Sequence, residues 1–147
     1  MYLILLTLSP VIFFVQTLIH EGAHCLAGIL FGGKILKFQP YPHKNNDGTW
    51  VMGSASYTLQ NHTSVKEALT YMAPQIVDIM EYILLAVTYP ILTVIPLLDT
   101  LYNIQAINPE NDTAKYSKLL NISKNVPRII GNSLIVIGIL ITLVQIL

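Results

Sequence analysis

Residues 2–31 read YLILLTLSPVIFFVQTLIHEGAHCLAGILF, an apolar run of helical length interrupted by one polar group, His20-Glu21-Gly22-Ala23-His24. No charged side chain precedes the motif, and the apolar character resumes from Cys25 to Phe31 before Gly32-Gly33 supply a helix stop. About 20 predominantly apolar residues suffice to cross the hydrocarbon of a bilayer, so the stretch predicts a first membrane helix over residues 2–31. A signal peptide would carry a positive n-region and a shorter apolar core, and would not run straight into a polar motif.

The remainder of the chain supports the same surroundings. Of 147 residues, 53% are hydrophobic and 11% charged, against roughly a quarter charged in a soluble domain. No charge run or Ser/Gly-rich linker divides the chain, which reads as a single membrane-embedded domain over residues 1–147. Eight basic residues balance eight acidic ones, so there is no excess of positive charge to hold a nucleic acid backbone. The single cysteine, Cys25, can form no internal disulfide and fits no zinc-finger spacing.

Working outward from the first helix, residues 34–60 differ in kind. Lys34-Ile35-Leu36-Lys37-Phe38 and Thr49-Trp50-Val51-Met52 look extended, with Asn45-Asn46-Asp47-Gly48 as a turn signal between them. A β-hairpin or short sheet is expected there. Thr63 or Ser64 then caps a helix over residues 64–88, with Lys66 and Glu67 in its first turn. Residues 90–107 predict a third span, bent at Pro96; residues 108–127 are polar enough for an interfacial segment; residues 128–147 predict a fourth span. The expected fold is an all-α polytopic membrane protein of about four transmembrane helices, with a small cytoplasmic β-hairpin after the first. With four spans, all eight basic residues emerge on one face, which the positive-inside rule makes cytoplasmic, leaving both termini outside. Trp50, Tyr41 and Tyr57 read as interfacial anchors, and His43 and His62 as solvated side chains.

The polar motif carries the chemistry. Residues four apart stack on one helical face, so His20 and His24 can present two imidazole nitrogens to one metal ion. Glu21 falls about 100° from His20 and about 60° from His24, beside such a metal without having to ligate it. That is the position of a general base acting on zinc-activated water. The pattern also occurs by chance on solvated helices, but two histidines and a glutamate at membrane depth are costly and face a polar interior.

A catalytic zinc commonly has three protein ligands. The remaining candidates are Asp78, Glu81, Asp99, Glu110 and Asp112. His20 and His24 lie ~27 to 33 Å from the outer end of their helix, and on a mostly helical third segment Asp112 lies ~33 Å from Pro90 while Asp99 lies only ~13 Å from it. Asp112 is the expected third ligand and Asp99 its rival. Asp78 and Asn103, near Asp99 in depth, are candidates either for helix-to-helix hydrogen bonds or for orienting the histidines, as is Asn111.

The stretch HEGAHCLAGILFGGKI resembles the first core helix of the site-2 protease family, intramembrane zinc metallopeptidases in which this motif precedes small residues and a β-hairpin. The resemblance extends loosely from Leu3 to about Leu120. Ala73-Pro74-Gln75-Ile76-Val77-Asp78 looks like the family's Gly-Pro-containing helix, with Asp78 where an Asn is usual. Asn108-Pro109-Glu110-Asn111-Asp112-Thr113 resembles the segment that supplies the third ligand from a Leu-Asp-Gly motif, with Asn111 for Leu and Thr113 for Gly. Pro96-Leu97-Leu98-Asp99-Thr100 offers the same pattern with Thr for Gly.

The resemblance implies a Zn2+ cofactor, a membrane protein or peptide as substrate, and a hairpin that guides the substrate. The expectation is an intramembrane zinc endopeptidase with Glu21 catalytic and His20, His24 and Asp112 as ligands. The alternative is a non-proteolytic zinc-binding membrane protein derived from that family.

Overall fold

The computed structural model describes residues 2–45, 48–105 and 111–146. The middle of the expected turn at residues 45–48, the end of the third span at residues 106–107 and the start of the interfacial segment at residues 108–110, the candidate ligand Glu110 included, lie outside them. The described chain is mostly helical and forms two compact units, residues 1–61 and 62–147.

The first unit is a long helix with a β-element folded back on it. Helix α1 runs Tyr2–Leu30, carries Pro10 in its first half, and stops where the sequence predicts. Gly32 takes a left-handed φ of 77°, a conformation that an L side chain rarely adopts. The Gly32 N–H donates to Ile29 O and the Gly33 N–H to Gly28 O, the paired bonds that close a helix C-terminus.

Strand β1 (Ile35–Gln39) follows, then β2 (His43–Lys44), β3 (Trp50–Val51) and β4 (Ser54–Tyr57). β1 pairs antiparallel with β4, Gln39 opposite Ser54 and Ile35 opposite Tyr57, with a bulge between Ile35 and Lys37. β2 pairs with β3. The sequence suggested residues 34–38 and 49–52 as hairpin partners; instead two short ladders are nested. Pro40 and Pro42 have no N–H to donate, so pairing lapses between Gln39 and His43 and resumes in a second ladder. Residues 54–57 read SASY, too weak an alternation to be recognised as a strand.

The second unit is a helical bundle. Helix α2 (Ser64–Thr88) occupies the span expected for it; Thr63 is the extended N-cap, its hydroxyl accepting from the Lys66 N–H. The third segment is not one bent helix. A 3-10 turn (Pro90–Thr93) leads into the short helix α3 (Val94–Ile104), where Pro96 sits in the first turn and its missing N–H costs no helical hydrogen bond. Helix α4 (Asp112–Leu119) lies within the expected interfacial segment, and Asn121, at φ 53°, closes it. Helix α5 (Asn125–Ile146) starts slightly earlier than expected, with Ser123 Oγ accepting from the Asn125 N–H.

Two helices among the described residues are long and apolar enough to cross a membrane, Thr7–Leu30 and Asn125–Val144, not the four expected. α2 is long but diluted by Lys66, Glu67, Gln75, Asp78 and Glu81, and α3 has only 11 residues. The second unit nonetheless buries polar side chains alongside the apolar Ala68, Ile104 and Ile135, and exposes an apolar stripe. Thr70, Asp78, Thr93, Asn103 and Thr113 are buried, whereas Ile76, Ile79, Met80, Ile83, Leu84 and Val87 form an exposed stripe at helical spacing along α2.

Candidate metal centre

The sequence motif lies on α1, and the helix turns one polar stripe towards the β-element. Thr17, His20, Glu21, His24 and Gly28 follow one another at helical spacing. The His20 and His24 rings stand 5.2 Å apart between centroids and meet edge to face at 77°. Glu21 and His24 are buried at 8% and 6% exposure, and His20 is half-buried.

The burial of Glu21 has an identifiable cause. Between β3 and β4 the backbone passes so close to α1 that a Cβ on Gly53 would lie 2.6 Å from Thr17 Cγ2 and 2.8 Å from Glu21 Oε1. Only glycine admits this approach without displacing the carboxylate. Further along, Tyr57 packs over Gly28, where an added Cβ would meet its ring at 3.1 Å. The β4 segment thus runs beside the second half of α1 in the same direction, covering the motif from Thr17 to Gly28.

Around this contact the hairpin is held by His43, which is half-buried rather than solvated. Its Nδ1 lies 2.7 Å from Tyr41 O, and its Nε2 lies 3.0 Å from the Ser54 hydroxyl. A carbonyl can only accept, so Nδ1 carries the proton and Ser54 donates to Nε2. His43 thereby links β2 to β4 across the two ladders. The sequence offered no signal for this role, since it rests on a pairing that spacing does not reveal. His62, by contrast, is exposed and pairs with Glu67 at 2.8 Å.

The acids of the second unit divide by partner. Asp78, buried on α2, accepts from the Thr100 hydroxyl on α3 at 3.1 Å. Asp99 Oδ1 accepts from Asn103 Nδ2 one turn on at 3.0 Å. Asp112 is the first residue of α4, where Asn111 caps the helix by accepting from the Thr113 N–H. Beyond it, Gln75 Nε2 donates to Thr113 Oγ1 at 2.6 Å while the Tyr116 hydroxyl donates to Gln75 Oε1 at 3.1 Å. Burial pushes the Tyr116 phenol above its usual range, with the Thr113 and Gln75 hydrogen bonds pulling the other way.

One group of three or more ligand-type side chains among the described residues can hold a metal ion: His20, His24 and Asp112. Each offers one ligand atom: a ring nitrogen from His20 and from His24 on α1, and a carboxylate oxygen from Asp112 on α4. Two imidazoles and a carboxylate are also a common zinc donor set. Asp99 belongs to no such group.

Comparison with models of known protein families, with curated proteins and with solved structures finds no match for this chain. The chemistry of the site is therefore read from its residues.

Proposed function

We propose that this chain is a membrane-embedded zinc-dependent endopeptidase, as its resemblance to the site-2 proteases implies, acting on peptide bonds in or near membrane-spanning segments. The observation that carries this reading is the presence of Glu21, buried under Gly53, on the same helical stripe as His20 and His24, which with Asp112 are the side chains among the described residues that could hold a metal.

In this reading His20, His24 and Asp112 hold zinc, which when bound supplies an acidified water at neutral pH and polarises a carbonyl. Glu21 accepts the proton of the attacking water and returns it to the departing amine. The close backbone at Gly53 keeps the Glu21 carboxyl in place and shields it from bulk water. The substrate is a membrane protein or peptide, and it must unwind locally, because a helix hides its carbonyls in internal hydrogen bonds. A two-stranded ladder leaves a strand edge to which such an extended segment can pair.

A bilayer setting is supported by α1 and α5, both long and apolar enough to span, and by the buried polar side chains and exposed apolar stripe of the second unit. In water that distribution would expose a large contiguous apolar surface; in lipid it is the favourable one. The face carrying the basic loops is taken as cytoplasmic.

Glu21→Gln tests the reading. Peptide hydrolysis is expected to fall by about 10²- to 10⁴-fold with zinc retained, and unchanged hydrolysis in that variant sinks it. One observation favours the non-proteolytic alternative. Asn111 and Thr113, which stand for Leu and Gly in the family pattern, are committed to a helix cap and to a hydrogen bond from Gln75. Stoichiometric zinc with no cleavage of any membrane peptide by the wild type would select that alternative.

A further inference from the structure

The second unit contains a groove that the proposed peptidase chemistry does not use. It has a volume of about 230 Å³ and is walled by Ile76 and Ile79 of α2, Ile104 of α3, and Ile130 and Leu134 of α5. Four of these walls run out onto the lateral surface, since Ile76, Ile79, Ile130 and Leu134 are all exposed. The groove is therefore open sideways. Its volume is below the roughly 300 Å³ at which pockets for whole small molecules begin, so it suits a slender flexible chain better than a ring system.

Two cations adjoin the lining in sequence: Val126 and Pro127, which line the groove, fall between Lys124 and Arg128. Residues 113–147 carry Lys115, Lys118, Lys124 and Arg128 and no Asp or Glu. Lys115 is engaged over the Tyr71 ring at 5.3 Å. Arg128 donates from Nη2 to Gln105 Oε1 at 3.3 Å, which positions a guanidinium that has five N–H groups to offer. An apolar slot whose lining residues Val126 and Pro127 adjoin two cations in sequence is complementary to an acyl chain joined to an anionic headgroup.

We infer that the groove between α2, α3 and α5 holds an acyl chain of an anionic membrane phospholipid, with the phosphate against Lys124 and Arg128. The inference rests on the membrane setting proposed above, and not on the metal or on catalysis. Its occupant is a bilayer lipid, present wherever the protein is inserted.

The test uses the full-length protein in nanodiscs of equimolar phosphatidylglycerol and phosphatidylcholine, released in a native mass spectrometer. The wild type is expected to retain phosphatidylglycerol about tenfold over phosphatidylcholine. Lys124→Gln/Arg128→Gln should bring that ratio close to one, and Ile130→Trp, which fills the groove from its exposed wall, should remove the retained lipid. Equal retention of the two lipids by the wild type overturns the inference, as does a protein dimer that excludes lipid, or selectivity untouched by both variants. Carbonate extraction of the same protein from vesicles separates the two failures. Extraction into the wash defeats the membrane reading itself, whereas an inserted protein without lipid selectivity defeats the groove alone.

Discussion

The two units bury polar groups by different means. In the first, His20, Glu21 and His24 lie on one turn of one helix, and a β-element covers them through a glycine contact. In the second, several polar side chains are matched across helices: Asp78 with Thr100, Gln75 with Thr113 and Tyr116, and Tyr82 with the Gly138 carbonyl. The first arrangement is local and concentrates ligand chemistry. The second is non-local and joins helices whose outer faces carry exposed apolar side chains. Substitutions at the motif and at Asp112, its proposed third ligand, should therefore change metal content and activity, and those at the cross-helix hydrogen bonds of the second unit should change stability.

The largest expected effect breaks the metal group. His24→Ala and Asp112→Ala should each reduce zinc in the purified protein to near background, measured by elemental analysis, while Asp99→Ala leaves it unchanged. Zinc lost in Asp99→Ala and kept in Asp112→Ala would reassign the third ligand. Next comes the contact over the motif. Gly53→Val places carbon where Glu21 Oε1 lies within 2.8 Å; a carboxylate displaced by about an ångström should cost 10- to 100-fold in hydrolysis with zinc retained. Equal activity in Gly53→Val would show that the Glu21 position is not critical.

In the second unit, Gln75→Leu leaves the buried Thr113 hydroxyl and the Tyr116 phenol without their shared partner. It should lower stability by about 1 to 3 kcal/mol in thermal denaturation in detergent, without altering zinc content. A change in zinc content in Gln75→Leu would mean that the division between the units is wrong. The smallest effect is expected from His62→Ala, because the His62–Glu67 pair is exposed; the change should stay below about 0.5 kcal/mol.

Those contrasts follow the line between what was legible and what was not. α1, its Gly32 stop and the extent of α2 were readable because helical period, capping and the left-handed preference of glycine act within a few residues. The β-ladders were only half readable. Residues 34–38 looked extended, but their partner is SASY at 54–57, and the lapse at Pro40 and Pro42 becomes decisive only once strands compete for pairing. The third segment misled for a related reason: apolar composition suggests a span, whereas Pro90 and Pro96 divide the stretch between a 3-10 turn and the first turn of α3. His43 looked like a solvated loop residue because its partners, Tyr41 O and Ser54, are brought to it by the nested ladders.

The sequence by itself determined the histidine pair and the flanking glutamate, since a separation of four residues fixes their common face wherever the helix is placed. It also determined the apolar character of α1 and α5, which needs only composition. Only the tertiary structure showed the close approach of Gly53 to Glu21 and the pairing of Asp78 with Thr100 and of Gln75 with Thr113 across the bundle. Those are distances between residues remote in the chain, and no local periodicity encodes them.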